Sequence, residues 1–257
     1  MVFQDYMNWV ALVWFLTCWV GYTYYSKRKA ENTECLSAQL YSFRIDWVRN
    51  LMRRENRISD LALLNNLVQM VNFLATTNIF VLAGAVTVLY SSGHIIDLLA
   101  NHPFVANTSV EEVQIKLITL VLIFVYAFFR FTWAMRQHTF VSILIGAAPN
   151  VVQGQPLTQD QEDFAIQVAK VSDRAAHDFN YGLRSYYFAL SLLPWFINPW
   201  IFMFTAALVV AVLYIREFRS RTLRILVRSR ESYLRIYQAD SKAPSIIPSK
   251  LLAPPPI

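Results

Sequence analysis

The stretch KLITLVLIFVYAFFRFTWAM, residues 116–135, decides the class of this protein. It is almost entirely apolar, and it is long enough for an α-helix to cross about 30 Å of hydrocarbon, which takes roughly 20 residues. A surface helix of a soluble protein keeps one polar face over such a length, and this stretch has none. It therefore predicts a transmembrane helix, in which Arg130 is the one charged residue away from the ends.

The composition of the whole chain agrees with a membrane protein. Apolar residues make up 56% of the 257 positions and charged residues 16%, against roughly 45–50% and about 25% in average soluble domains. The net charge of +6 comes from basic residues just outside apolar runs, where Lys and Arg set membrane orientation. Nucleic acid is therefore not an expected partner.

The distribution of apolar runs predicts an all-α fold, a polytopic transmembrane helical bundle in a single membrane domain at 1–242. A short stretch, 139–152, is marginal for a crossing and is predicted to be short or re-entrant. Amphipathic helices are expected at the interface, one at 36–64 on the inner surface and a polar one at 159–184. Four firm membrane segments are predicted, at about 9–25, 68–90, 116–135 and 186–215.

Charge predicts the orientation of these segments. The basic segments 27–57 and 216–235 should both face inward, while the connector 91–113, which lacks Lys and Arg, should face outward. Four simple crossings would separate the two basic segments. Either a fifth pass through 139–152 or a hairpin at Asn198-Pro199 would reunite them.

The first of these two solutions places the amino terminus outside, the acidic region 160–178 outside and the carboxyl terminus inside. The protein is then expected in a bacterial inner membrane or an organellar inner membrane. The proline-rich tail, 243–257, has too little apolar surface to fold alone, and we expect it to dock on a neighbouring chain.

Six strings in order along the chain carry a resemblance to a known family. Together, over about residues 36–230, the chain resembles the bacterial and plant membrane proteins grouped as domain of unknown function 599. The resemblance implies a multi-pass membrane protein and supplies no activity. The strings are RENRISD at 54–60, NFLATTN at 72–78, YAFFRFTWAMRQ at 126–137, ILIGAAP at 143–149, HDFNYGLRSYYFALS at 177–191 and LYIREFRSRTLR at 213–224.

Polar residues inside the predicted second segment form a stripe along one helical face. Asn72 and Thr76 lie at its centre, and Asn65, Gln69 and Thr87 continue it. A polar side chain in hydrocarbon needs a partner, so we expect this stripe, Asn72 and Thr76 above all, to be buried against protein or an internal cavity. The stripe is interpreted either as interhelical hydrogen bonds, at about 0.6 kcal/mol each, or as the lining of a transport path.

Two arginines in the third segment allow two interpretations. Arg130 at the centre of the membrane would cost about 2.5–3.5 kcal/mol on insertion scales. Arg130 and Arg136 could extend their side chains to the inner interface on either side of Trp133. Alternatively, Arg130 could be an anion-binding or gating cation in a wet cavity.

The polar helix carries a third set of candidate residues. Asp173, His177, Asn180 and Arg184 recur at helical spacing along one side. An Asp–His pair one turn apart could orient an imidazole for proton transfer, but a polar interhelical face explains the same pattern. Because no catalytic, metal-binding or nucleotide-binding motif accompanies the pair, we expect no cofactor and no metal, only bound lipids.

These observations favour a non-catalytic multi-pass membrane protein. The leading hypothesis is a structural or accessory subunit, either of a larger membrane complex, for instance an energy-converting one, or of a homo-oligomer. The alternative is an ion channel or transporter with a polar path that includes Arg130. A membrane enzyme is the third hypothesis.

Overall fold

The structure is a computed structural model that describes residues 2–30, 33–91, 109–152 and 155–240, and within those ranges every regular element is helical. The connector at 92–108 and the tail at 243–257, about which the sequence analysis made predictions, lie outside the described residues. The helices are α1 Val2–Ala30, α2 Leu36–Met52, α3 Ile58–Tyr90, α4 Val110–Ala147, α5 Gln159–Leu192, a 3₁₀ turn Leu193–Phe196, α6 Pro199–Phe218 and α7 Arg221–Asp240.

Helix α4 corrects the prediction of a separate short or re-entrant segment at 139–152. The helix begins at the Ser109 N-cap and runs unbroken to Ala147. Residues 136–138 lie between the predicted third segment and the predicted short segment. They include neither Gly nor Pro, so nothing there breaks a helix. Gln137 and His138 are instead buried, because the bundle continues past this level.

The last apolar run also differs from the single segment predicted at 186–215. Helix α5 ends at Leu192, a 3₁₀ turn containing Pro194 follows, and α6 begins at Pro199 behind the Asn198 N-cap. Proline suits the first turn of a helix, where its missing N–H is not needed. The two halves of the run are therefore the arms of a hairpin, the second of the two solutions that charge allowed.

The predicted amphipathic helix at 36–64 is two elements. Helix α2 ends at Met52 and packs against α5 and α7. Its buried residues are Tyr41, Asp46, Val48, Leu51 and Met52. Helix α3 starts at Ile58. Between them Arg57 donates to the carbonyl oxygens of Ile145 and Ala148 at 3.1 and 2.7 Å, at the end of α4. A cation is favourable there, at the carboxyl-terminal end of a helix, where the carbonyl groups carry partial negative charge.

The bundle has an apolar half and a more polar half. In the apolar half, Phe15 of α1, Phe188 of α5 and Phe202 of α6 form a fully buried cluster. In the other half, Val48 of α2 packs with Val141 of α4 and with buried residues of α5. Helices α4 and α5 share the most extensive contact, and α3 packs antiparallel on α4.

Both basic segments lie at the polar end of the bundle. Lys29 of α1 donates to the hydroxyl of Tyr214 on α6 at 2.7 Å, and Arg230 of α7 pairs with Asp46 of α2. The acidic start of α5 lies at the same end, since Arg49 pairs with Glu162 at 2.8 Å. The prediction that the acidic region lies on the opposite side is therefore wrong.

Three stretches of the described residues are long and apolar enough to cross a membrane: Ile58–Tyr90, Val110–Ala147 and Pro199–Ile236. They support an integral membrane protein with transmembrane helices. The first predicted segment, 9–25 within α1, is not among them, because it is rich in Trp and Tyr, whose amphipathic rings contribute little hydropathy. The count of four firm segments is thus reduced to three on this criterion.

Candidate functional site

The centre of the site is the carboxylate of Asp178, on α5 where it packs against α4. One carboxylate oxygen accepts from Arg130 at 2.6 Å, and the other accepts from the side-chain amide of Gln137 at 2.5 Å. Arg130 and Gln137 are seven residues apart, two turns of α4, so one carboxylate is held between them. The structure thus gives Arg130 a counter-charge inside the bundle.

Aromatic rings complete the surroundings of Arg130. Its guanidinium carbon lies 5.1 and 5.0 Å from the ring centroids of Tyr126 and Tyr181, and its Nε donates to the Tyr126 hydroxyl at 2.9 Å. Such contacts stabilise a cation by about 0.5–2 kcal/mol each as water is removed. Asp178 thus neutralises the charge of Arg130 inside the bundle, and a role of Arg130 as an anion-binding or gating cation stays a prediction.

Close packing of α3, α4 and α5 positions the carboxylate. Gly182, one turn after Asp178, lies directly under the ring of Phe131, and a Cβ there would be 2.5 Å from the nearest ring atom. The hydroxyl of Tyr186 donates to the Leu74 carbonyl of α3 at 2.9 Å. The side chain of Asn78 donates to the Phe124 carbonyl of α4 at 2.8 Å. These contacts fix the three helices at the depth of the ion pair.

A second ion pair joins α5 to α6 next to the first. Arg184 and Glu217 approach to 3.9 Å, and Glu217 also accepts from the Ser37 hydroxyl at 2.7 Å, which ties in the start of α2. The guanidinium of Arg184 lies over the ring of Tyr22 on α1. The predicted candidate Arg184 is thus a linker among four helices.

A third group of charged residues links α2 to α5. Arg44 donates to Asp173 at 2.5 Å, and the Nε2 of His177 is 3.3 Å from the other oxygen of that carboxylate. Burial lowers the pKa of the Arg44 guanidinium, and Asp173 opposes this shift. The predicted Asp–His pair exists, but Arg44 occupies the carboxylate as well. His138 lies buried nearby, and its Nδ1 has no hydrogen-bond partner among the described residues.

Asn72 and Thr76 are not buried within this chain, so no internal cavity or helix of the described residues covers them; their burial against another protein stays a prediction. Both side chains are exposed on the outer surface of the bundle, as are Asn65, Gln69 and Thr87. The buried face of α3 instead contains Asn78, which is six residues after Asn72 and therefore on a different side of the helix. The stripe exists as predicted, but it faces away from the chain.

Two further predicted residues lie at the surface. Arg136 is exposed and stacks on the rings of Trp133 and Phe140, each 5.8 Å from the guanidinium carbon. This is the arrangement expected of an interfacial arginine whose stem covers apolar surface. Asn180 is exposed, so it does not join His177 and Arg184 in the network.

No cluster that could hold a metal ion occurs in the described ranges. Cys35 is buried at the N-cap of α2, where its sulfur accepts from the Ala38 N–H. Burial raises the pKa of this thiol, which keeps it protonated and makes it a poor nucleophile. Its place in the structure is that of a helix cap.

The sequence analysis did not select several residues of the network, among them the central Asp178. The signal was available for Asp178, since an arginine within a membrane segment calls for an acid. For Glu217, Arg44 and Gln137 the local pattern gave no comparable signal, because their partners lie on other helices.

Comparison with known proteins identifies a family. The family described as "Protein of unknown function, DUF599" matches residues 10–222. No curated protein and no solved structure matches the chain. Since the match covers most of the chain and agrees with the six strings, the protein belongs to the DUF599 family.

Proposed function

We propose that the protein is a non-catalytic structural membrane subunit that associates with a second copy of itself through the exposed face of α3. The observation that carries this proposal is the outward-facing stripe of amides and hydroxyls. The side chains of Asn65, Gln69, Asn72 and Thr76 make no hydrogen bond within the described part of the chain. Charged residues of the interior such as Arg130 with Asp178 and Arg184 with Glu217 are, by contrast, paired with one another.

The polar stripe needs a hydrogen-bonding partner because of its depth within the apolar part of the bundle. Asn72 and Thr76 flank Leu74, whose carbonyl is bonded to Tyr186, and Asn78 lies level with Phe124. These levels fall inside the long apolar stretches of α3 and α4. Polar groups facing hydrocarbon lose their hydrogen bonds, so protein on this face stabilises them.

The chemistry of the stripe favours a second copy. Amide side chains both donate and accept, and no charged residue interrupts the face between Asn65 and Thr87. Two copies related by a two-fold axis along the membrane normal can therefore satisfy each other. Ala83 on the same face leaves room for the close helix approach that is common in lipid.

Replacement of Asn72 by leucine is expected to weaken self-association about eightfold. A symmetric dimer loses two hydrogen bonds, together about 1.2 kcal/mol at the average membrane value. The measurement is single-molecule photobleaching or energy transfer in liposomes across a dilution series. The matched control is Phe204→Leu on α6, which is also exposed and which we expect to leave association unchanged.

Disulfide cross-linking of single cysteines identifies the occupant of this face. Cysteine at position 72 should cross-link two copies, and cysteine at position 204 should not. A monomeric wild-type protein, or equal cross-linking at both positions, would contradict the proposal. Cross-linking of position 72 to a different membrane protein would show that another subunit, and not a second copy, covers this face.

We further infer five crossings, namely α1, α3, α4, the second half of α5 and α6, with the amino terminus outside. The positive-inside rule supports this orientation, because the connector before α4 and the turn before α6 carry no Lys or Arg. Cysteines at the exposed positions 174 and 225 should then react with an impermeant reagent from the inner side. Cysteine at the exposed position 197 should react from the outer side, and modification of 174 and 197 from the same side would contradict the topology.

A second candidate function, passage of an ion, rests on the charged groups Arg130, Asp178, Arg184 and Glu217 within the bundle. Charged groups at membrane depth often mark such paths. Ion flux into liposomes that contain the purified protein, abolished by Asp178→Asn, would favour this function over the structural one.

A further inference from the structure

A cluster of hydrogen-bond donors lies where α1 and α6 end together, apart from the ion-pair network. The ammonium of Lys29 donates to the hydroxyls of Tyr25 at 3.1 Å and of Tyr214 at 2.7 Å. The side chain of Arg219, at the end of α6, lies near the Tyr214 hydroxyl. No carboxylate of the described residues lies within ion-pair distance of Lys29 or Arg219.

The protons of this cluster point to an anion. Each phenol oxygen accepts from Lys29, so its own proton remains available to an acceptor outside the chain. The third ammonium N–H of Lys29 and the fork of Arg219 add donors of the same kind. The rings of Tyr25, Tyr214 and Phe218 hold the ammonium through contacts of 4.7–5.5 Å.

The position of the cluster identifies the source of the anion. It lies at the basic end of two helices, and the exposed apolar residues Val212 and Ile215 of α6 are within two residues of Tyr214 in the chain. Basic residues just inside a membrane segment attract anionic lipid headgroups. A free anion would leave this apolar surface uncovered, whereas an anionic lipid can place its acyl chain on it.

We propose that Lys29, Arg219, Tyr25 and Tyr214 form a binding site for the phosphate group of an anionic phospholipid. The lipid fits with its headgroup on the four side chains and its acyl chains along α6. Free inorganic phosphate shares the headgroup chemistry and lacks the chains. The site does not depend on self-association through α3.

The test uses the full chain in neutral detergent, with phosphatidylglycerol, phosphatidylcholine and inorganic phosphate as separate probes, and native mass spectrometry as the readout. We expect phosphatidylglycerol to bind at least tenfold more tightly than phosphatidylcholine. The double substitution Tyr25→Phe with Tyr214→Phe keeps the rings and the net charge but removes both hydroxyl donors. It should reduce phosphatidylglycerol binding about tenfold.

Matched variants separate the site from general electrostatic attraction. Tyr24→Phe removes the exposed hydroxyl of the residue next to Tyr25 and should leave binding unchanged, while Lys29→Gln with Arg219→Gln should abolish the preference for phosphatidylglycerol. Melting temperatures in the absence of lipid should stay within a few degrees of the wild type. Equal binding of the two lipids, an unchanged preference in the Tyr variant, or inorganic phosphate binding as tightly as phosphatidylglycerol would each overturn the proposal.

Discussion

Replacement of Asp178 by alanine is expected to destabilise the folded protein by about 3–5 kcal/mol, the range for removing one partner of a buried ion pair. The loss has two parts, because the substitution leaves Arg130 without a counter-charge and Gln137 without its acceptor. The Asp178 side chain is only 12% exposed, whereas that of Arg130 is 36% exposed. Partial exposure of Arg130 should place the effect near the lower end of that range.

Thermal and denaturant unfolding in detergent would measure this change. Asp163→Ala is the matched control on the same helix, since this aspartate is exposed, and we expect an effect below about 0.5 kcal/mol. Arg130→Met combined with Asp178→Leu should recover much of the loss, because apolar pairs of similar volume often replace buried ion pairs without penalty. An Asp178→Ala protein as stable as the wild type would show that the pair does not hold α4 to α5.

Replacement of Gly182 by alanine is expected to destabilise the protein by about 2 kcal/mol, although alanine is the better helix former. The added Cβ would lie 2.5 Å from the ring of Phe131, well inside the 3.5–4.0 Å at which carbon atoms attract. Phe131 is fully buried between α3 and α5, so its ring cannot move aside without displacing its neighbours.

Two comparisons isolate the steric origin of this effect. Gly84→Ala and Gly146→Ala are matched controls, because nothing lies within 4 Å of a Cβ at either position. Both should be neutral or stabilising by up to about 1 kcal/mol. Phe131→Leu should restore stability to the Gly182→Ala protein, and absence of that rescue would contradict the packing argument.

Contacts between helices change how four of the strings that carry the family resemblance are understood. Arg57 of the first string binds the carbonyl oxygens at the end of the string at 143–149. Asp178 of the string at 177–191 binds Arg130 and Gln137 of the string at 126–137. Residues of these strings therefore contact one another in pairs between helices, which is consistent with a structural role.

The sequence by itself determined the helical membrane class, because hydropathy is summed locally and a run such as 116–135 needs no knowledge of its neighbours. Local chemistry also predicted the start of α5, where Thr158 and Gln161 form a capping box. The two basic segments were expected on the same side from charge alone. Each of these inferences rests on residues close together in the chain.

Only the tertiary structure decided which polar residues face inward and how the last run crosses. Asn72 and Asn78 are the same residue type on one helix, and a period of 3.6 places them on different sides. Which side is buried depends on where α4 and α5 pack, and it is Asn78 that meets the Phe124 carbonyl. The continuity of α4 and the α5–α6 hairpin likewise follow from burial of Gln137 and from partners such as Ser191 and Thr205, which bond across the hairpin at 3.0 Å. These are contacts between distant parts of the chain, and hydropathy, a local sum, carries no information about them.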